Sequence, residues 1–385
     1  MASIYLDNNS TTAIHPEVIQ AMSECLAAGH VNPASQHASG RAARRVLEQA
    51  RETIGSLLGA SMSAPHQDSI IFTSGGTESN NLAIRGLVRE PGEILISAIE
   101  HPSSLAAADE LKSIGYEVIP IPVDQDGFVS VSHVRNLLSS RTRLVCVMFG
   151  NNEIGTLQPI EELAQVCNEA NVPLHCDCVQ AVGKMSLAFG KLGATTISFS
   201  AHKFHGPRGI GGLIVKNRVN LQPLLVGGSQ QLGLRPGTES VTLAVGMAKA
   251  LELSQQDLHS KTETLRQLRD QLQQLLLSGC AENEIPCVAV GAEPRLPHTL
   301  NVSFPGLDRQ ALVMALDLAG IECSTGSACT SGSSEPSHVL LAMGLDDDQI
   351  AGSIRLSLST FSTAQEVAEV ASRMLPVITR LAREK

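Results

Sequence analysis

The sequence predicts an α/β protein, with a mainly parallel central sheet in a large domain and a smaller α+β domain beside it. Three observations carry this. The 385 residues exceed the length at which one hydrophobic core keeps growing, so two domains are expected. Short apolar, β-branched runs alternate with helical patterns of about 10 to 15 residues, as in chained βαβ units. After one long helical stretch the alternation ends and a different order of elements begins.

In chain order, DSIIFTSG (68–75), EILISAI (93–99), YEVIPIPV (116–123), RLVCVMFG (143–150), PLHCD (173–177), TTISFSA (195–201) and GGLIVK (211–216) read as strands. Their near-continuous apolar character fits a sheet covered on both faces. TESNNLAIRGLVRE (77–90), PSSLAAADELKSIG (102–115) and PIEELAQVCNEAN (159–171) supply covering helices. The helical stretch 240–278 is too long for one globular helix and is expected to break near Ser254–Asp257. Beyond it come HTLNVSFPG, DRQALVMALDLAG, a Ser/Gly-rich segment, PSHVLLAMG and SIRLSLS, read as strand, helix, loop, helix and strand. The large domain is therefore assigned to 15–255, and the small one to 1–14 with 256–385.

Composition narrows the class. Hydrophobic residues at 43% and charged residues at 17% argue against disorder. No apolar run approaches the roughly 20 residues of a membrane span, and MASIYLDNNSTTAIHPEV has neither a basic n-region nor an apolar h-region. A cytoplasmic protein without membrane contact is expected. A net charge of −10 disfavours nucleic acid as a partner. Arg41, Arg44 and Arg45 in GRAARRVLEQAR read as a solvated helix face, with room for one of them to meet an anion. The nine cysteines are odd in number and hold no CxxC pair, so free thiols and no metal site are expected. Cys176 and Cys178 share one strand face as small core residues, with Asp177 on the other.

Chemistry gathers at the strand ends, where open α/β sheets bind ligands. In FTSGGTESNN, Gly75 and Gly76 allow close backbone approach, and Thr77 adds a hydroxyl at a positive helix end. The same turn also serves elsewhere as a plain helix start. His101 follows a second strand, as a site residue or a satisfied surface histidine. Asn151, Asn152 and Glu153 follow a third strand, Asp177 closes a fourth, and Gln180 lies three residues on. In SFSAHKFHGPRGIGG a strand delivers Ser200, His202 and Lys203 into a Gly/Pro-rich turn. No other lysine is expected to follow a buried strand. A desolvated lysine loses its proton readily and forms a Schiff base with an aldehyde. Pyridoxal 5'-phosphate uses such a lysine, together with a phosphate cradle (Gly76, Thr77), a carboxylate at its ring nitrogen (Asp177), a stacking group (His101) and a donor to its phenolic oxygen (Gln180).

The blocks YLDNNSTT, NPASQHASGR, FTSGGTESNN, EHPS, NNEIGTLQPI, HCDCVQAVGK, SFSAHKFHGPRGIGG, RPGTES, STGSACTSGSSEPSHVL and IRLSLS run in order along nearly the whole chain. With them the sequence closely resembles the cysteine desulfurases of the iron–sulfur cluster and nitrogen-fixation type. These belong to the class V aminotransferase group of fold-type I pyridoxal-phosphate enzymes. The resemblance implies that Lys203 carries the cofactor, Asp177 holds its ring nitrogen, His101 stacks on the ring and Gln180 contacts the phenolic oxygen. It implies phosphate binding by Gly76, Thr77, Ser200 and His202, with Thr238 of RPGTES reaching in from the neighbouring subunit of a homodimer with shared active sites. Asn152 and Arg355 are implied to hold the carboxylate of L-cysteine.

Cys329 is implied to be the nucleophile. It takes the substrate sulfur as a persulfide, leaves L-alanine, and passes the sulfur to a scaffold or carrier protein. Its Ser/Gly surroundings hold no aliphatic side chain larger than alanine, which fits a loop that must move. Cys323 is assigned to a strand edge without a catalytic role. A selenocysteine or cysteine sulfinate lyase is a neighbouring alternative, and a cofactor-free sulfur carrier or scaffold is one from another class.

Overall fold

The computed structural model describes residues 3–326 and 335–384. These form strands β1 (Ile4–Tyr5), β2 (Ser69–Thr73), β3 (Glu93–Ser97), β4 (Glu117–Ile121), β5 (Thr142–Cys146), β6 (Leu174–Asp177), β7 (Thr196–Ser200), β8 (Gly211–Val215), β9 (Val288–Val290), β10 (Thr299–Ser303), β11 (Ile321–Glu322) and β12 (Ser353–Ser357). Seven of them make the main sheet, in the order β2-β8-β7-β6-β5-β3-β4. The pairs β3–β4, β3–β5, β5–β6 and β6–β7 are parallel, whereas β8 is antiparallel to both β7 and β2. The connections carrying helices allow the parallel pairs, while the short link from Ser200 to Gly211 can only return antiparallel. Every residue of β3, β6, β7 and β8 is buried, as a sheet covered on both faces requires. Pro120 falls on β4, an edge strand, where a missing N–H is tolerated.

The expected break in the long helical stretch is present. Helices Val241–Gln255 and Leu258–Glu282 are separated at Asp257, whose φ of 51° is left-handed. Other elements escaped the sequence reading. Strands β1, β9 and β11 span only two or three residues, too few for alternation to show. Helices Pro16–Ala27, Val131–Leu137 and Asp347–Ala351 were likewise not expected. Arg41, Arg44 and Arg45 are exposed on helix Ala38–Leu57.

Buried apolar side chains fall into two main clusters. One runs from Val18 to Leu253, and the other joins Ile4 and Leu6 to residues from Leu265 to Ile378. A smaller cluster of Ile99, Ile154, Val290, Val339, Leu340, Met343 and Ile350 links loops of the main sheet to C-terminal elements. The N-terminal segment belongs with the second unit: β1 pairs with β11 in parallel, and Asp7 bridges to Ser357 of β12. It then crosses back, where the Thr12 N–H donates to the His202 carbonyl at 2.9 Å. Among the described residues no helix is long and apolar enough to cross a membrane.

Candidate active site

A cavity of about 230 Å³ opens at the C-terminal ends of the parallel strands. Nine residues singled out in the sequence line it: Gly76, Thr77, His101, Asn152, Asp177, Gln180, Ser200, His202 and Lys203.

At one end, helix Gly76–Leu87 starts three residues after β2, and no side chain caps it. A Cβ on Gly76 would come 2.8 Å from Val179 Cγ2, so only glycine lets strand and helix close so tightly. The Ser200 hydroxyl beside it is buried and lacks a hydrogen-bond partner among the described residues. Burial, reinforced by Lys203, lowers the His202 imidazole to about 4, so it is neutral at physiological pH. An uncapped helix N-terminus with an orphaned hydroxyl fits a phosphate group.

Asp177 faces the cavity from the end of β6, while its neighbours Cys176 and Cys178 lie in the core with their sulfurs 3.7 Å apart. One carboxylate oxygen accepts the Val179 N–H at 2.9 Å and the other accepts Asn80 Nδ2 at 2.7 Å. The Asn80 amide is used at both ends. Its nitrogen also donates to Ser103 Oγ at 2.9 Å, and its oxygen accepts Ser198 Oγ at 2.5 Å and lies 3.1 Å from His175 Nε2.

This network decides a tautomer. Because Asn80 donates to Ser103 Oγ, the Ser103 hydroxyl hydrogen is left for His101 Nδ1, 2.7 Å away. The Ser103 backbone N–H donates to the same Nδ1 at 3.1 Å, making His101 the N-cap of helix Pro102–Leu111. With Nδ1 an acceptor twice over, neutral His101 carries its proton on Nε2. Burial depresses its pKa, Asp177 opposes that, and Lys203 adds to it.

Lys203 Nζ donates to the carbonyls of Asn9 at 2.5 Å and Ser10 at 2.7 Å. Gln180 Nε2 donates to the same Asn9 carbonyl at 2.9 Å, and the Asn9 amide donates to the Asn152 carbonyl at 3.0 Å and Thr299 Oγ1 at 2.9 Å. The N-terminal segment thus forms one wall of the cavity. Asn9, Ser10, Asn80 and Ser103 were missed by sequence reasoning; the polar run DNNSTT was the available signal for the first two. The expectation that no other lysine follows a buried strand is also corrected. Lys216 follows β8 but is exposed, whereas Lys184, in the segment after β6, is buried.

Arg355 projects from β12 and is only 2% exposed. Its Nη1 donates to the carbonyls of Asn152 at 3.0 Å and Gly326 at 3.2 Å, and its Nη2 reaches Asp7 Oδ1 at 2.5 Å. Its buried Nε has no partner among the described residues. Arg355 thus touches the Asn152 backbone, and Asp7 already occupies part of its guanidinium fork. Thr238 is exposed and does not line this cavity, although Arg235 of the same RPGTES loop pairs with Glu78 at 2.8 Å. Cys329 lies outside the described residues. On either side of it, Ser337 Oγ donates to Glu153 Oε2 at 2.6 Å and the Gly326 N–H donates to Ser324 Oγ at 3.1 Å. Burial, then the charge of Asp7, pushes the Cys323 thiol up to about 12, which keeps it protonated and a poor nucleophile.

Comparison with known proteins gives a consistent picture. The aminotransferase class-V family profile matches residues 4–370. A cysteine desulfurase of Klebsiella pneumoniae is 41% identical over 383 residues, covering 99% of this chain and 94% of that protein. A solved NifS-like protein superposes with a TM-score of 0.89 at 34% identity, covering 98% of this chain and all of that one. A structure described as SspA in complex with cysteine matches with a TM-score of 0.78 at 32% identity, over 93% of this chain and 99% of that one.

Proposed function

The chain belongs to the cysteine desulfurases of the class-V aminotransferase family, and on that premise we propose that it removes sulfur from L-cysteine, leaves L-alanine and delivers the sulfur as an enzyme persulfide to an acceptor protein. One observation carries the site assignment: Lys203 and Asp177 line one cavity that also holds an uncapped helix N-terminus and the orphaned Ser200 hydroxyl. That donor set suits pyridoxal 5'-phosphate, with Gly76, Thr77, Ser200 and His202 on its phosphate and Thr238 of a partner subunit in a homodimer completing them. When bound, this cofactor supplies an electron sink that acidifies the substrate Cα–H and labilises the C–S bond.

The chain's own residues do the rest. Lys203 would anchor the cofactor, and its amine would move the proton at Cα. Asp177, held by Asn80 and the Val179 N–H, keeps a proton on the ring nitrogen. His101 would cover the ring as a neutral imidazole with its proton on Nε2. Gln180, which lines the cavity, would meet the phenolic oxygen. Arg355 and Asn152 receive the substrate carboxylate, which must displace or share Asp7 on the guanidinium; a planar two-pronged donor is suited to that exchange. The Cys329 thiolate would take the sulfur, forming an S–S bond as the substrate C–S bond breaks, with the C–S electron pair left on the substrate carbon, where a proton replaces the sulfur to give L-alanine. The division into a large domain (15–255) and a small one (1–14 with 256–385), and a cytoplasmic location, complete the reading.

Incubating the cofactor-loaded protein with L-cysteine tests it. Alanine should form, with sulfide released more slowly unless a thiol or acceptor protein is present. A loaded protein that produces no alanine refutes the proposal.

A further inference from the structure

We propose that Lys184 is a positioning residue that fixes the direction of the Gln180 amide, so that Gln180 presents an N–H into the cavity, toward the cofactor's phenolic oxygen. The inference rests on the cofactor reading above and adds a residue to which no role has been given.

Lys184 lies four residues after Gln180 in VQAVGK. Gly183, with a φ of 78°, tightens the intervening turn, and a Cβ there would come 2.4 Å from Phe204 Cβ. The Lys184 carbonyl accepts Thr262 Oγ1 at 3.0 Å, which ties the turn to helix Leu258–Glu282. Lys184 is 9% exposed, and its Nζ is 3.0 Å from Gln180 Oε1 and 3.0 Å from His298 Nε2. Both contacts are neutral side chains. Burying an amine without a carboxylate is unfavourable, and burial, then Lys203 and Arg355, hold the Lys184 pKa well below the usual lysine range. A methionine would fill the same volume at less cost to stability, so the amine is there for its hydrogens.

Those hydrogens settle an ambiguity. The two ends of a glutamine amide are nearly alike in shape, and only hydrogen bonding decides which end points where. Nζ donates to Oε1, which carries no hydrogen, so the Lys184 contact holds the oxygen end. The opposite end, Nε2, spends one hydrogen on the Asn9 carbonyl at 2.9 Å. Its second hydrogen is left for a ligand in the cavity that Gln180 lines.

The test uses the full chain loaded with pyridoxal 5'-phosphate, and reads the pH midpoint of the cofactor's absorbance change. In K184M the oxygen end loses its donor and only the Asn9 carbonyl still orients the amide, so the N–H is presented to the cavity less of the time. The phenolic oxygen loses a donor and holds its shared proton more tightly, so the midpoint rises by about 1–2 pH units. Q180A should show the same rise, and K184M/Q180A no further rise, because Lys184 acts only through Gln180. K184Q, whose amide can offer either end to Gln180 while still bonding His298, carries the same expectation if K184M does not fold. A midpoint unmoved in both Lys184 variants, or a shift that adds to that of Q180A, overturns the proposal. Failure of the cofactor reading looks different: the unsubstituted protein would then show no cofactor band, and both inferences fall.

Discussion

Glu100, the residue before His101, offers a quantitative check on the electrostatics of the cavity wall. It is 1% exposed, and its Oε1 accepts the Met148 N–H at 2.5 Å. Burial, with the charge of Asp177 adding to it, raises its carboxyl from 4.5 to about 8. The folded protein therefore keeps this proton until about pH 8, whereas the unfolded chain releases it near 4.5. Between those values the native state binds more protons, so stability falls as pH rises, by about 1.4 kcal/mol per pH unit. The contribution is fully present below the unfolded value, is lost by about pH 8, and totals about 4–5 kcal/mol. Glu100→Gln matches the shape of the protonated acid, keeps an oxygen for Met148, and does not titrate. The variant should unfold like the unsubstituted protein at pH near 5 and resist unfolding better near pH 8, by up to several kcal/mol. Urea unfolding followed by circular dichroism at three pH values between these limits reads the effect. Turnover should persist, since Glu100 does not line the cavity. A difference between the two proteins that does not change with pH, or a variant less stable near pH 8, refutes the reasoning.

Three further outcomes concern the reaction itself. Lys203→Ala should lose any borohydride-fixable link between protein and cofactor; a surviving link, located by peptide mapping, would point to another lysine. Cys329→Ser should still bind cofactor and L-cysteine but release no sulfur. Mass spectrometry of the unsubstituted protein after brief exposure to L-cysteine should place one extra sulfur on the Cys329 peptide, and finding it chiefly on Cys323 would sink that assignment. Arg355→Lys keeps the charge but not the fork, so KM for L-cysteine should rise about 10- to 100-fold with a smaller change in kcat; steady-state kinetics with an unchanged KM would remove Arg355 from substrate binding.

What the sequence made legible follows a pattern. The strand ends were readable because apolar runs stop sharply at Thr73, Phe149, Asp177 and Ser200, and a polar residue just past a buried strand has few places to go. Lys203 stood out for that reason. Lys184 did not, because its burial depends on packing against His298 and Gln180 rather than on any local pattern. Asn80 reads as one polar residue of a helix; only the fold turns it toward Asp177, Ser103 and His175. Asn9 and Ser10 were hidden by distance along the chain. No periodicity links them to Lys203, since their position is set by bonds to β10 and β12. Partial occupation of Arg355 by Asp7 was likewise invisible, because two residues so far apart in sequence meet only through the pairing of the N-terminal segment with β11 and β12.

That same pairing dictates an order of manufacture. The Asn9 carbonyl that grips both Lys203 and Gln180 is fixed in space because the Asn9 N–H donates to Ser357 Oγ at 2.9 Å and Ile4 pairs with Ile321. On the ribosome residues 4–9 therefore have no place to settle until β11 and β12 have been added. The main sheet can collapse around its apolar strands well before then, since its strands all lie between Ser69 and Val215. Contacts of such long sequence separation close late, after the local ones. The binding cavity is consequently finished from its far wall inward, and the nascent chain holds Lys203 on an open shelf until β12 has been made.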